Sequence, residues 1–343
     1  IKDRILQIIG INQLGGMVNP FHWEDFNNKV SIVDIHPKLK ISNTERGLFF
    51  QVDLDHYVRA RVNVRLANDN TFSSYPMTQI RPNTYLTEKL SHQVVNNMKY
   101  VDVELTHEGL SRETRFHYLL QSVGPGQEYF AFSNDRNCSV KTMPGTFFQN
   151  NVIWVEQVKE HPKITEGYHL SPVYQIQPYD LALKGKFQVG IRYSRDLVEH
   201  SNLGIYYYDP KSEKWAYAKT ENNRRKQILT TELDRIDAVT VIQDLDSPKI
   251  RKTFPGNSGR YHVKDVNKIT IEVEDFLSGI EAEESSFNLV LNDTPLYPAY
   301  QPIKKIVSYN FDQPLQEGSH KIDFEVRDRM GNQSSETIYF SVY

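Results

Sequence analysis

From Ser171 to Ser194 the chain reads SPVYQIQPYDLALKGKFQVGIRYS. Val173, Gln175 and Gln177 alternate with Tyr174, Ile176 and Pro178. Beyond a polar turn at Lys184-Gly185-Lys186, Phe187, Val189 and Ile191 alternate with Gln188, Gly190 and Arg192. Successive side chains of a strand point to opposite faces of the sheet, so a period of two marks strands with one face buried. The run predicts two half-buried strands joined by a glycine turn. No side chain in it is arranged to attack, ligate or carry a proton, so it constrains architecture and leaves chemistry to be sought elsewhere.

The same period recurs along the chain. Phe50, Val52 and Leu54 alternate with polar neighbours, as do Val62, Val64 and Leu66, and Val101, Val103 and Leu105. Turn clusters at Asn68-Asp69-Asn70 and His107-Glu108-Gly109 separate them. Further on come Ile269, Ile271 and Val273, then Phe287, Leu289 and Leu291, then His320, Ile322, Phe324 and Val326. With Tyr 20 and Phe 17 among 343 residues, this predicts an all-β chain. Turn signals divide it into three consecutive β-sandwich modules of fibronectin/Ig-like type behind a short N-terminal lead-in. The lead-in is 1–36, and the modules are 37–124, 125–245 and 246–343. Gly124-Pro125-Gly126 and Asp246-Ser247-Pro248 mark the boundaries, and flexible seams are expected near Gly124–Gln127 and Asp244–Pro248.

Composition removes several function classes. Lys+Arg 40 against Asp+Glu 43, interspersed throughout, is not the electrostatic footprint of a nucleic-acid-binding protein. The longest basic run, Arg224-Arg225-Lys226, follows Asn222-Asn223 and reads as a solvated hairpin tip. No stretch approaches the roughly 18 consecutive apolar residues of a membrane span. The single cysteine, Cys138, permits no intrachain disulfide and reads as a small buried apolar residue. The chain opens at Ile1 without Met or leader, as a secreted protein lacking its leader or a piece cut from something longer would.

Pro144-Gly145, SPVYQIQP and KGKFQVGIRY, followed by Gly204-Ile205-Tyr206-Tyr207-Tyr208-Asp209, Trp215 and a strand closing at Asp244, resemble the β-sandwich domain of ankyrins and netrin receptors over about residues 128–245. That resemblance implies an interaction and spacer module. Asp275 to Glu281 (DFLSGIE) and Leu315 to Asn332 (LQEGSHKIDFEVRDRMGN) resemble the Ig-like repeats of bacterial surface proteins. The opening Ile1-Lys2-Asp3 and Gly16-Met17-Val18-Asn19-Pro20-Phe21-His22-Trp23 are similar to the continuation of a LytM/lysostaphin-like zinc metallopeptidase just after its last metal-binding strand. Together these resemblances imply the C-terminal region of an envelope metallopeptidase acting on peptidoglycan. The chain itself would be non-catalytic, located in the periplasm, cell envelope or outside the cell. Its expected partners are cell-wall or envelope proteins and glycans, with neither nucleic acid nor a membrane span. Any zinc would belong to an upstream domain, because neither half of that family's zinc site is present here.

The 11 histidines form neither H-x-H nor H-E-x-x-H, so none is assigned to zinc. His320 reads as an inward histidine hydrogen-bonded to backbone. Glu272, Glu274, Asp275, Glu281, Glu283 and Glu284 crowd one region, and Asp328 lies on the D-R-M-G-N turn. Asp275 and Asp328 are therefore the candidate calcium ligands, hard oxygens from two loops at one end of the last module. The plainer reading is that each holds its own turn through side-chain-to-backbone bonds. The alternative function is a polysaccharide-active or carbohydrate-binding protein using these acidic loops, which requires a carboxylate pair across a cleft.

Overall fold

A computed structural model describes residues 32–96, 98–159, 167–194 and 201–343. The lead-in reading for 1–36, including the Gly16–Trp23 resemblance, falls almost wholly outside the described residues. What is described is all-β, built from sheets whose strands pair mostly antiparallel, Gly259–Tyr261 lying parallel to Gln333–Val342, with a few short 3-10 turns. Compactness divides it into two units. Of the described residues, the first holds those up to Asn134 with Thr142–Val155 and Asp180–Gly185; the second holds those of Asp135–Lys141, Glu156–Tyr179 and Lys186–Tyr343. The stretch 125–245 thus contributes to both.

In the first unit seven strands form one sheet in the order Pro37–Thr44, Gly47–Leu54, Thr84–Thr87, Phe72–Arg81, Arg61–Ala67, Tyr100–His107, Leu110–Phe116. Alternation sets the register: Val62 faces Leu105, Val64 faces Val103 and Leu66 faces Val101, so three apolar pairs stack on one face. Phe50, Val52 and Leu54 join them in the core. Val152 and Trp154, from the strand Asn151–Val158, also pack there. Asn43 fastens that strand, its Nδ2 donating to the Val152 carbonyl and its Oδ1 accepting from the Val152 N–H at 2.9 and 3.0 Å.

In the second unit the strands Lys214–Ala218, Leu203–Asp209, Ala238–Gln243 and Val173–Gln177 lie side by side. Thr220–Asn223, Ile228–Leu233, Phe187–Arg192 and Cys138–Thr142 form another run. Here the hairpin expected across Lys184-Gly185-Lys186 is corrected. Both of its strands exist, but they belong to different sheets. The intervening nine residues are long enough to cross between sheets, whereas a tight hairpin closes in two to five. Asp209 does cap the turn expected after Leu203–Asp209, accepting from Lys211 N–H and Ser212 Oγ. The last part of this unit is a sandwich. One sheet orders Lys249–Phe254, Lys268–Glu274, Ile306–Asn310, Ala299–Gln301; the other orders Gly259–Tyr261, Gln333–Val342, Gly318–Arg327, Phe287–Leu291, Thr294–Leu296. Ile269, Ile271, Val273, Ile322, Phe324, Val326 and Ile338 fill the space between, following the alternation of their strands.

The seam expected to be flexible at Asp244–Pro248 is anchored at both ends within this unit. Asp244 is fully buried and its carbonyl accepts from Asn332 Nδ2, while the Pro248 carbonyl accepts from Ser334 Oγ.

Candidate functional site

Three carboxylates converge where three connections of the second unit meet. Asp244 follows the strand Ala238–Gln243, Asp275 follows Lys268–Glu274, and Asp328 follows Gly318–Arg327. One oxygen from each lies within 4.8 Å of those of the other two. Asp244 is 0% and Asp328 6% exposed, and Asp275 is half-buried, so the group lies beneath the surface rather than along an open cleft.

Local chemistry puts each one there. Asp275 opens the turn of DFLSGIE, its Oδ2 accepting from the Leu277 and Gly279 N–H groups and from Ser278 Oγ. Gly279 has φ +77, a conformation that side-chain-bearing residues adopt only with strain. Asp328 opens D-R-M-G-N in the same way. Its Oδ1 accepts from Met330 and Asn332 N–H, both at 2.8 Å, and its Oδ2 accepts from Asn332 Nδ2 at 2.8 Å. Asp244 Oδ2 takes the Ser278 N–H at 3.1 Å and Oδ1 the Asp246 N–H at 3.2 Å. The Arg329 N–H donates to the Gly279 carbonyl at 3.0 Å, and Asn202 Nδ2 donates to Asn332 Oδ1, closing the network.

Among the described residues no lysine, arginine or histidine forms an ion pair with any of the three. Burial therefore pushes Asp275 up to about 6, opposed by the Gly279 N–H and reinforced by the charges of Asp244 and Asp328. Burial likewise raises Asp244 against its bonds from Ser278 and Asp246, and raises Asp328 against its bonds from Asn332. Hard oxygens without an ion-paired base form a set suited to a hard divalent cation.

The two sequence-predicted ligands, Asp275 and Asp328, are thus brought together, and both also hold their turns. Asp244, expected from sequence to close a strand and to open a flexible seam, completes the group. The glutamates do not join it. Glu274 pairs outward with Arg251 at 3.3 Å and Lys305 at 2.6 Å, and Glu283 and Glu284 are exposed. His320 Nε2 donates to the Gln316 carbonyl and Nδ1 accepts from Asn292, each at 2.8 Å, the backbone-bonded inward histidine that alternation predicts. Arg224-Arg225-Lys226 lies exposed at the tip between two paired strands.

No family model and no curated protein matches the chain. Among solved structures, similarity extends to CopC from Methylosinus trichosporium OB3b at 13% identity and TM-score 0.24, over 28% of this chain and 92% of that one. Dimeric latent PorU from Porphyromonas gingivalis aligns at 13% identity and TM-score 0.24, over 90% of this chain and 24% of that one. TarS from S. aureus, residues 217–571, aligns at 11% identity and TM-score 0.20, over 82% and 57%. At such scores none of these likenesses carries an argument about what this chain does. Among the described residues no helix is long and apolar enough to cross a membrane.

Proposed function

We propose that this chain consists of non-catalytic β-sandwich modules that bind the cell wall and act as spacers within a bacterial envelope protein, the C-terminal region of a zinc metallopeptidase acting on peptidoglycan. One observation carries the non-catalytic part. The three converging carboxylates, Asp244, Asp275 and Asp328, are bonded into a joint between successive strands and loops. A catalytic carboxylate pair needs access to a substrate across a cleft, and two of these three are almost fully buried. A joint that fixes the end of one strand to two loops of the following sandwich is what a spacer requires. The peptidase parent, the cell-wall partner and the location in the periplasm, envelope or outside the cell rest on the resemblances of Ile1–Trp23 and of the Asp275–Asn332 motifs.

The test is sedimentation of the purified chain with insoluble peptidoglycan sacculi, with soluble sugar and muropeptide measured in the supernatant and zinc measured in the protein. The expected result is co-sedimentation, no release of soluble products and no stoichiometric zinc, since a catalytic zinc site needs about three protein ligands in fixed geometry. Failure to co-sediment sinks the cell-wall reading. Release of soluble sugar that disappears in Asp275→Asn establishes the polysaccharide-active alternative instead.

A further inference from the structure

The acidic cluster has a companion that its turn-holding role does not explain. Tyr206, in the strand Leu203–Asp209, is 0% exposed, and its hydroxyl is buried without a hydrogen-bond partner. A buried hydroxyl left unsatisfied costs about 1–3 kcal/mol, so such groups normally find a protein atom or an ordered water. The ring of Tyr206 packs in one cluster with Leu277, two residues beyond Asp275, and with Ile242, two residues before Asp244. Its phenol is raised far above the usual range, first by burial and then by the charges of Asp244, Tyr217, Asp275 and Asp328. The orphan hydroxyl belongs to a ring packed against the segments that bear Asp244 and Asp275.

We propose that Asp244, Asp275 and Asp328 hold a calcium ion, and that the Tyr206 hydroxyl hydrogen-bonds to a water in its coordination shell. Calcium takes six to eight oxygens at about 2.3–2.6 Å. Oxygens within 4.8 Å of one another are what two such bonds can span across the ion. Three carboxylates without an ion-paired base offer a charge that a divalent cation offsets, and all-oxygen donors favour calcium over zinc or copper. The backbone N–H bonds to these carboxylates need not be broken, because each oxygen has two lone pairs. Asp275 Oδ1 receives none of the hydrogen bonds described above. The ion ties the end of Ala238–Gln243 to the loops after Lys268–Glu274 and Gly318–Arg327, so calcium sets the stiffness of that joint. This goes beyond the spacer reading and does not depend on it.

The tyrosine supplies the experiment. Terbium replaces calcium in oxygen sites and emits when energy is transferred from a nearby excited phenol. The full chain, titrated with terbium under tyrosine excitation, is expected to show emission saturating at one ion per chain and displaced by excess calcium but not by equimolar magnesium. Asp275→Asn and Asp328→Asn, which keep the size of the side chain, are expected to abolish it. Tyr206→Phe is expected to lower the emission severalfold while calorimetric calcium binding persists. Calcium at a hundredfold excess over Kd should raise the melting temperature of the wild type by about 5–10 °C over chelator, and that of Asp275→Asn not at all. No saturable emission and no thermal shift at millimolar calcium would overturn the site and leave a hydrogen-bonded cluster sharing a proton. Saturable emission unchanged in Asp275→Asn would place the ion elsewhere, and emission unchanged in Tyr206→Phe would remove the tyrosine from the site.

Discussion

Asp102 is 0% exposed on the strand Tyr100–His107, yet it is held as a carboxylate. Arg115 Nε and Nη2 donate to its two oxygens at 2.8 and 3.0 Å, and Arg65 Nη2 adds a bond at 3.1 Å. Burial alone would raise its pKa. The bonds and charges of Arg115 and Arg65 outweigh burial and hold it below the usual carboxylate range. A folded-state pKa below the unfolded one contributes stability that is fully present above the unfolded value, about 3.9, and is lost as pH falls through the folded value. Urea denaturation should therefore show the first unit weakening below about pH 4, and Asp102→Asn should flatten that acid limb. At neutral pH Asp102→Ala should cost about 2 kcal/mol, below the full penalty for breaking a buried pair because both arginines reach water. A change below about 0.5 kcal/mol, the usual scale of surface substitutions, would reduce the pair to a surface one. In the second unit, Cys138 is fully buried and its thiol is raised well above its ordinary value by burial and then by Asp135. A thiol reagent should label it only after unfolding. Labelling of the native protein at the rate of a small-molecule thiol would contradict that.

At the scale of strands, one glycine shows how closely the elements interlock. A Cβ on Gly204 would meet the Tyr217 ring at 2.8 and 3.0 Å and the Tyr206 ring at 3.1 Å. Those rings meet edge-on with centroids 5.5 Å apart, and the Tyr217 hydroxyl accepts from the Thr220 N–H at 3.1 Å. Gly204→Ala must push both rings, so it should destabilise the second unit by about 1–3 kcal/mol, the cost of overpacking. Chemical denaturation measures this, and near-ultraviolet dichroism should change with it; an unchanged midpoint would mean that the rings move aside freely. The same strands show what alternation makes legible. Leu203–Asp209 and its return strand were readable because a capped turn joins them, with Tyr206 opposite Tyr217 and Tyr208 opposite Trp215. Val173–Gln177 and Phe187–Arg192 were readable as strands but not as members of separate sheets. Periodicity reports which face is buried and is silent about which strand lies alongside. Asp275 and Asp328 were visible as candidate ligands because D-x-x-S-G and D-x-x-G-N are local turn chemistry. Asp244 and Tyr206 come from distant parts of the chain and join the site only through folding, so no local pattern marks them.

At the scale of the whole chain, the connection at Asp244–Pro248 combines the composition of a linker with bonds at both of its ends. Asp246-Ser247-Pro248 has the residues of a linker, and Leu245, Asp246 and Ser247 are indeed exposed. The ends on either side are nonetheless bonded to the last sandwich through Asn332, Ser278 and Ser334, and residues before and after the seam belong to one compact unit. Cooperative melting follows from such coupling, because neither side can open without losing bonds made by the other. Asp244 is the residue to remove. Its replacement by alanine leaves the buried Ser278 N–H without its acceptor, a loss of about 1–3 kcal/mol, and deletes a carboxylate whose burial was itself unfavourable. The net change in stability should be small, whereas the coupling across the seam should fall. Calorimetry of the full chain in chelator, which removes any contribution from a metal, should show the second unit melting in one transition in the wild type. In Asp244→Ala that transition should broaden or divide, and limited proteolysis should begin to cut at Leu245–Ser247. If the variant melts as the wild type does and resists cleavage there, the joint is held by packing alone and the carboxylate network has no mechanical role.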